Sequence, residues 1–209
     1  MCKNGPKGAH RKEKQRRVTI CQDLLERQDD TLGRVITGGE TWVYQYDPET
    51  KRQSRQWKTV NSLRPKKFRQ SKSRVKTMLL TFFDIRGIVH YEFVLTGQTV
   101  NQVYNLEVLE RLREKVRRKR PEHFASNSWI LHHDNAPAHT ALSVREFLAT
   151  KQITGLEHPA YSPDLAPSDF FLFPKIKEIL KGRHFNDIDD IRSNTTAALK
   201  AIKPVPKLF

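Results

Sequence analysis

The sequence predicts an α/β domain: a mixed β-sheet flanked by helices on both faces. Three observations carry that expectation. Strand-forming segments come first, and strands and helices then alternate towards the C-terminal side. Hydrophobic residues make up 37 % of the 209, enough for a core and against wholesale disorder. No apolar run approaches the roughly 18–20 residues that a membrane span needs.

The elements follow in order. Residues 1 to about 12 carry Lys3, Lys7, Arg11 and Lys12 with no apolar periodicity and are expected to form a disordered basic arm. A short helix is expected from Glu13 to Arg27, with Val18, Cys21, Leu24 and Leu25 on one face. Arg34 to Tyr46 is rich in β-formers and reads as one bent strand, or two, interrupted at Gly38-Gly39. Residues 51 to 76 hold eleven Lys and Arg and no acid. Pro65 and several Ser and Asn make this a long loop, with Trp57 and Phe68 as its aromatic anchors. Met78 to Phe83 is a buried strand, Asp84-Ile85-Arg86-Gly87 a turn, and Ile88 to Val94 a returning strand, together a β-hairpin.

Val103, Leu106, Leu109 and Leu112 recur at helical spacing from Val100 to about Arg118, and the basic run Arg117-Arg118-Lys119-Arg120 suits a helix C-terminus. Trp129 to His133 is a short strand ending at Asp134. A helix is expected from Thr140 to Thr150 with Leu142, Val144, Phe147 and Leu148 inward, then a strand from Ile153 to Glu157. Pro159, Pro163 and Pro167 mark an extended loop. A helix begins at Ser168 or Pro174 and ends at Gly182, and an amphipathic helix runs from Ile188 to Ile202. The expected organisation is a basic arm and residual helix over residues 1–32, the α/β domain over 33–202 and an unrelated tail over 203–209.

Charge is the first clue to function. Thirty-eight Lys and Arg against 23 Asp and Glu give a net charge of +15, a field that attracts polyanions, nucleic acid above all. Met1 to His10 has no apolar stretch and does not read as a secretory signal. With only Cys2 and Cys21, a disulfide scaffold or a cysteine-based zinc site is excluded, and a reducing compartment fits.

Asp134 ends a strand and Asp169 starts a helix, with 34 residues between them. Acids at such positions can converge above a sheet edge. Two converging carboxylates repel unless a cation sits between them, and oxygen ligands favour Mg²⁺ or Mn²⁺. A hard-metal site beside a basic surface points to phosphodiester chemistry. The structural alternative is that Asp134 caps the Asn135–Pro137 turn and Asp169 is a first-turn helix acid. His132, His133 and His139 are read as packing or supporting residues, since adjacent strand histidines point to opposite faces.

The segments His133-Asp134-Asn135-Ala136-Pro137-Ala138-His139-Thr140 and Tyr161-Ser162-Pro163-Asp164-Leu165-Ala166-Pro167-Ser168-Asp169 resemble the signatures of mariner-type transposases. The interval between their acids is the mariner spacing. Trp42, the Thr77–Phe83 strand and Gly97 to Asn101 also match, so the resemblance covers roughly Lys14 to Ile202. It implies an RNase H-like fold, a DDE/D recombinase with two Mg²⁺ or Mn²⁺ ions held by three acids, DNA as partner, a homodimer and a nuclear location. Asp134 would be the second catalytic and metal-binding acid and Asp169 the third.

The resemblance also marks departures. The family has Gly-Asp-Glu where this chain has Gly38-Gly39-Glu40, so Gly39 occupies the position of the first acid. Glu40, one residue along, is expected to face the other way. The family's helix-turn-helix units and its Trp-Val-Pro-His linker are not matched, so specific recognition of inverted repeats is expected to be lost. The family's clamp loop corresponds to residues 51–76. Expected phosphate contacts are Lys51, Arg52, Arg55, Lys58, Arg64, Lys66, Lys67, Arg69, Lys72, Arg74 and Lys76, joined by Arg117, Arg118, Lys119 and Arg120. Three readings follow: an impaired transposase-derived protein that binds DNA, an active metal-dependent endonuclease of DNA repair or end processing that compensates for Gly39, and a non-enzymatic interaction protein or pseudogene product.

Overall fold

Five strands form one sheet in the order β3-β2-β1-β4-β5. The computed structural model describes residues 11–27, 31–50, 52–55, 57, 59, 61–63 and 71–202. The expected tail 203–209, most of the expected arm, and Lys51, Lys58, Arg64, Lys66, Lys67, Phe68 and Arg69 lie outside the described residues. β1 (Val35–Tyr44) pairs antiparallel with β2 (Lys76–Asp84), which pairs antiparallel with β3 (Gly87–Phe93). On its other side β1 pairs parallel with β4 (Ile130–His132), and β4 with β5 (Thr154–Leu156). β1 runs unbroken through Gly38 and Gly39, where an interruption was expected. Hydrogen bonding to β2 along the whole of Thr37 to Tyr44 overrides the low strand propensity of the two glycines.

The helices are α1 (Arg11–Glu26), α2 (Gln102–Lys119), α3 (Pro121–Ala125), α4 (Pro137–Thr140), α5 (Leu142–Thr150), α6 (Phe173–Leu180) and α7 (Ile188–Ala201). Arg11 and Lys12, expected in the arm, are the first residues of α1. A π-helical turn, Ser168–Leu172, leads into α6. Gly182 follows α6 at φ +79, a left-handed cap that an L side chain resists.

Strand alternation sorts the core into two layers. Ile36, Leu80, Phe82 and Leu131 face α2 and α5, packing on Val108, Leu112, Val116, Trp129 and Val144. Val43, Leu79 and Phe83 face α6 and α7, packing on Phe173, Ile176, Leu180, Ile191 and Leu199. Each such aliphatic side chain contributes about 1.5–3 kcal/mol when fully buried.

Three inward faces differ from the sequence expectation. Val103 and Leu142 are solvent-exposed, because each sits in the first turn of its helix, beyond the reach of the sheet. On α1 the buried residues are Arg17 and Ile20, whereas Val18 and Leu25 are exposed, so the helix docks through a mixed polar and apolar stripe. Trp57 is fully exposed and anchors nothing among the described residues.

Two polar knots hold α2 against the hairpin. Asp84 and Arg120 form a bidentate ion pair (2.5 and 2.8 Å) with both side chains nearly buried. Glu92 on β3 accepts from Arg111 at 2.9 Å twice and faces His90 at 3.2 Å. Burial alone would raise the Glu92 pKa, but hydrogen bonds from His90 and Arg111 outweigh it and hold the carboxyl at about 2.

A depressed carboxylate stabilises the fold fully above its unfolded value of 4.5 and loses that contribution as pH falls to about 2. Wild type should therefore exceed Glu92→Gln by roughly 2–3 kcal/mol in urea unfolding near pH 6. The gap should close progressively between pH 4.5 and 2. A gap that stays constant over that window would show that the ion-pair account of this knot is wrong.

Candidate functional site

The site lies where β1, the end of β4 and the π-helical turn meet. Parallel pairing sets Thr37 opposite His132, so the chain leaving β4 at Asp134 runs alongside Gly39 and Glu40. Gly38 and Glu40 face the α2 side, and Gly39 faces the α6 side. A Cβ on Gly38 would strike the Phe82 ring, whereas one on Gly39 would lie 2.6 Å from Ser168 Cβ, 2.7 Å from Ser168 Oγ and 3.2 Å from Phe173. The position that alignment with the signature gives to the first acid is therefore taken up by Ser168, the neighbour of Asp169. The Ser168 hydroxyl is buried and has no hydrogen-bond partner among the described residues.

Asp134 and Asp169 are both open to solvent. Burial of its surroundings and the negative charge of Asp134 raise the Asp169 pKa, so the two carboxylates sense each other across the site. Asp134 has a second partner that the sequence did not assign. His139 Nδ1 donates to Asp134 Oδ1 at 2.7 Å, and His139 Nε2 donates to Glu40 Oε1 at 3.1 Å. Burial would push His139 down, but the hydrogen bonds and charges of Asp134 and Glu40 lift it to about 9. The hydrogen bond from His139, helped by the Ala136 N–H, holds Asp134 at about 2 against the partial desolvation that its neighbours impose. At neutral pH an imidazolium therefore stands between the Asp134 carboxylate and the Glu40 side chain. Glu40 thus reaches Asp134 only through the His139 ring, on the sheet face opposite to Gly39.

Beneath the acids runs a buried polar chain. Thr37 Oγ1 meets His132 Nδ1 at 2.8 Å, His132 Nε2 meets His158 Nδ1 at 3.1 Å, and Asn135 donates to the His158 carbonyl. Burial keeps His132 down at about 4 and lowers His158, so both rings are neutral and pass hydrogen bonds in series. His133 lies edge-on to His139 and bonds the Asp134 carbonyl. Arg17 of α1, almost fully buried, grips Asp164 with both terminal nitrogens and thereby ties α1 to the loop that carries Asp169. Neither His158 nor Arg17 was singled out from sequence. The usable signal for Arg17 was an arginine on the stripe of α1 that carries Ile20.

The residues present do not fit a two-metal centre. Such a centre needs carboxylates that bridge both ions. Here there are two acids, one already engaged by an imidazolium, and no group of three His, Cys, Asp or Glu among the described residues is placed to hold an ion.

The expected phosphate contacts divide into free and committed. Arg55 and Arg74 are exposed. Lys76 lies 4.1 Å over the Trp42 ring and Lys72 4.7 Å over Tyr44, with their ammonium groups at the surface. Arg52 bonds Glu178 at 3.2 Å. At the end of α2 Arg117, Arg118 and Lys119 are exposed, and Arg117 shares Glu114. Arg120 is paired with Asp84, and Lys119 donates to the Ile88 carbonyl.

The family described as "Transposase (partial DDE domain)" matches residues 47–126. The Mariner Mos1 transposase of Drosophila mauritiana is 34 % identical over 192 residues, covering 90 % of this chain and 54 % of that protein. Histone-lysine N-methyltransferase SETMAR of Homo sapiens is 29 % identical over 181 residues, covering 85 % of this chain and 26 % of that protein. The chain thus spans about half of the first relative and a quarter of the second. The crystal structure of the Mos1 catalytic domain superposes with a TM-score of 0.76 at 30 % identity, covering 95 % of this chain and 86 % of that one. The fold is RNase H-like. Other Mos1 structures are paired-end complexes with a transposon end, with Mn or with Mg.

The collision at Gly39 makes simple restoration of the acid fail. Gly39→Asp should cost about 1–3 kcal/mol in unfolding, the usual penalty of overpacking. Gly39→Asp with Ser168→Gly should recover most of that loss and acquire a Mg²⁺-dependent rise in melting temperature. Gly39→Asp folding as stably as wild type would show that the π-helical turn yields freely.

Proposed function

The chain belongs to the mariner-type transposase family, and on that premise we propose that it is a DNA-binding protein whose ancestral cleavage and strand-transfer chemistry is impaired. The observation that carries this is Gly39, which leaves two carboxylates where the family uses three, on a chain of net charge +15.

DNA binding rests on the basic residues of the 51–76 segment and the outward cations Arg117 and Arg118. Phosphate contacts position a protein on a duplex but carry no sequence information, so preference among sequences is weak. The nucleus is then the compartment in which it works, and a homodimer, which the family resemblance implies, is open to sedimentation measurement. At the acids, one Mg²⁺ or Mn²⁺ ion binds weakly, because two carboxylates supply few of the six oxygens that Mg²⁺ demands. Asp134 is further neutralised by His139. Loss of one element of electrostatic stabilisation costs about 10²–10³ in rate.

The endonuclease reading needs Glu40 as a ligand beside Asp134. The His139 ring stands between these two carboxylates, which weighs against it.

Affinity for duplex DNA should fall steeply between 50 and 200 mM salt, by roughly 10³-fold or more if six phosphates are contacted. Supercoiled DNA incubated with Mg²⁺ should be nicked no faster by wild type than by Asp134→Ala. Robust Mg²⁺-dependent nicking by the unmodified chain, abolished in Asp134→Ala, would overturn the impaired reading, and salt-independent binding would overturn the DNA reading.

A further inference from the structure

A cleft of about 570 Å³ opens beside Asp169 between the turn at residues 52–54 and α6. Thr41 and Phe173 line it towards the sheet, and Arg52, Lys177, Glu178 and Lys181 line it towards solvent. Two contacts close one side. Arg52 donates to the Glu178 carboxylate at 3.2 Å, and the Gln53 amide donates to the Glu178 carbonyl at 3.0 Å. These pin the turn onto α6 and use up the acid of the cleft wall.

Lys177 and Lys181 are left without an ion pair among the described residues; Lys177 is on α6, Lys181 caps the end of that helix, and both line the cleft. Lys177 is half-buried. Its charged surroundings are Lys72, Asp47, Lys181 and Asp169. Asp47 already faces the Lys72 ammonium at 3.7 Å. The result is an ammonium partly withdrawn from water, next to two more ammonium groups and without a carboxylate of its own. Burial first, then Lys72, pushes it below the ordinary lysine range. Such an arrangement costs stability unless an anion enters.

We propose that this cleft seats a backbone phosphate of a bound nucleic-acid strand, with Lys177 and Lys181 as its direct partners and no metal ion required. This rests on the DNA-binding reading above and adds its contact point on the third-acid helix. A strand is favoured over a free phosphate on two grounds. The volume suits a nucleotide-sized group. The line of cations also continues beyond the rim through Lys72 and Lys76, which lie over Tyr44 and Trp42. Asp169 at the inner end repels the phosphate and confines it to the lysine end.

The test is the affinity of a fluorescent duplex for the full chain, measured in EDTA at several chloride concentrations. Wild type is compared with Lys177→Gln, Lys177→Arg and Lys175→Gln. Lys175 is on the same helix but lies over the Phe171 ring and outside the cleft, so it controls for loss of one charge. Losing one phosphate contact should remove about 0.9 from the log–log salt slope, equivalent to about eightfold weaker binding at 0.1 M. Lys177→Gln should show that loss, Lys177→Arg should bind within about twofold of wild type, and Lys175→Gln should keep the wild-type slope. Without DNA, Lys177→Gln should melt no lower than wild type, because the uncompensated charge is gone.

Equal effects of Lys177→Gln and Lys175→Gln, with wild type still binding, would overturn this inference and leave the DNA reading intact. A lower melting point for Lys177→Gln would also overturn it, by making the lysine structural. Wild type that binds no duplex would sink the DNA reading itself. Inorganic phosphate at matched ionic strength should not displace the duplex; displacement would reassign the cleft to a small free anion.

Discussion

The parallel pairing of β1 with β4 is the constraint on which the site depends. It places Thr37 beside His132 and brings the chain that leaves β4 at Asp134 past the middle of β1. Period-two alternation then decides everything about the neighbouring residues. Gly39 looks towards α6 and the turn that carries Asp169, and Glu40 looks towards α4 and His139. A shift of one residue in this pairing would exchange those roles, and it would also turn Ile36 and Val43 out of their layers. The hydrophobic core therefore enforces the geometry of the acids. It does so whether or not an acid stands at position 39, which is why the fold persists without one.

Charge around the acids is balanced by organic cations. His139 bridges Asp134 and Glu40 and offsets one of their two charges, Arg17 offsets Asp164, and Lys177 lies within the field of Asp169. In a two-metal site the divalent ions dominate the local electrostatics. Here an imidazolium is bound to two carboxylates, and it occupies one of the two Asp134 oxygens. Any gain in metal affinity at this site has to be won against that hydrogen bond.

Much of this was legible in the sequence because the signals are local. The hairpin, α2 and the strand before Asp134 follow from periodicity and turn residues, and the two signature segments carry the acids at recognisable spacing. The opposite facing of Gly39 and Glu40 followed from alternation alone. What escaped depends on contacts between distant segments. Arg120 read as one more basic residue of a helix end, and only the fold shows Asp84 waiting 36 residues earlier. The pairing of His132 with His158, and of Arg17 with Asp164, joins elements whose approach no local pattern encodes. The unbroken course of β1 through two glycines was misjudged for the same reason, since tertiary hydrogen bonding outweighs propensity.

Ser168 and Gly39 make sense only together. A buried hydroxyl without a partner costs about 1–3 kcal/mol, and Ser168 carries that cost at a point where its Oγ lies 2.7 Å from where a side chain on residue 39 would begin. No other residue of the described chain gives this hydroxyl a partner. A carboxylate at position 39 would accept from it once the turn moved outward by the width of a side chain. In this chain the turn stands closed over the glycine, and Phe173 seals the gap from the α6 side.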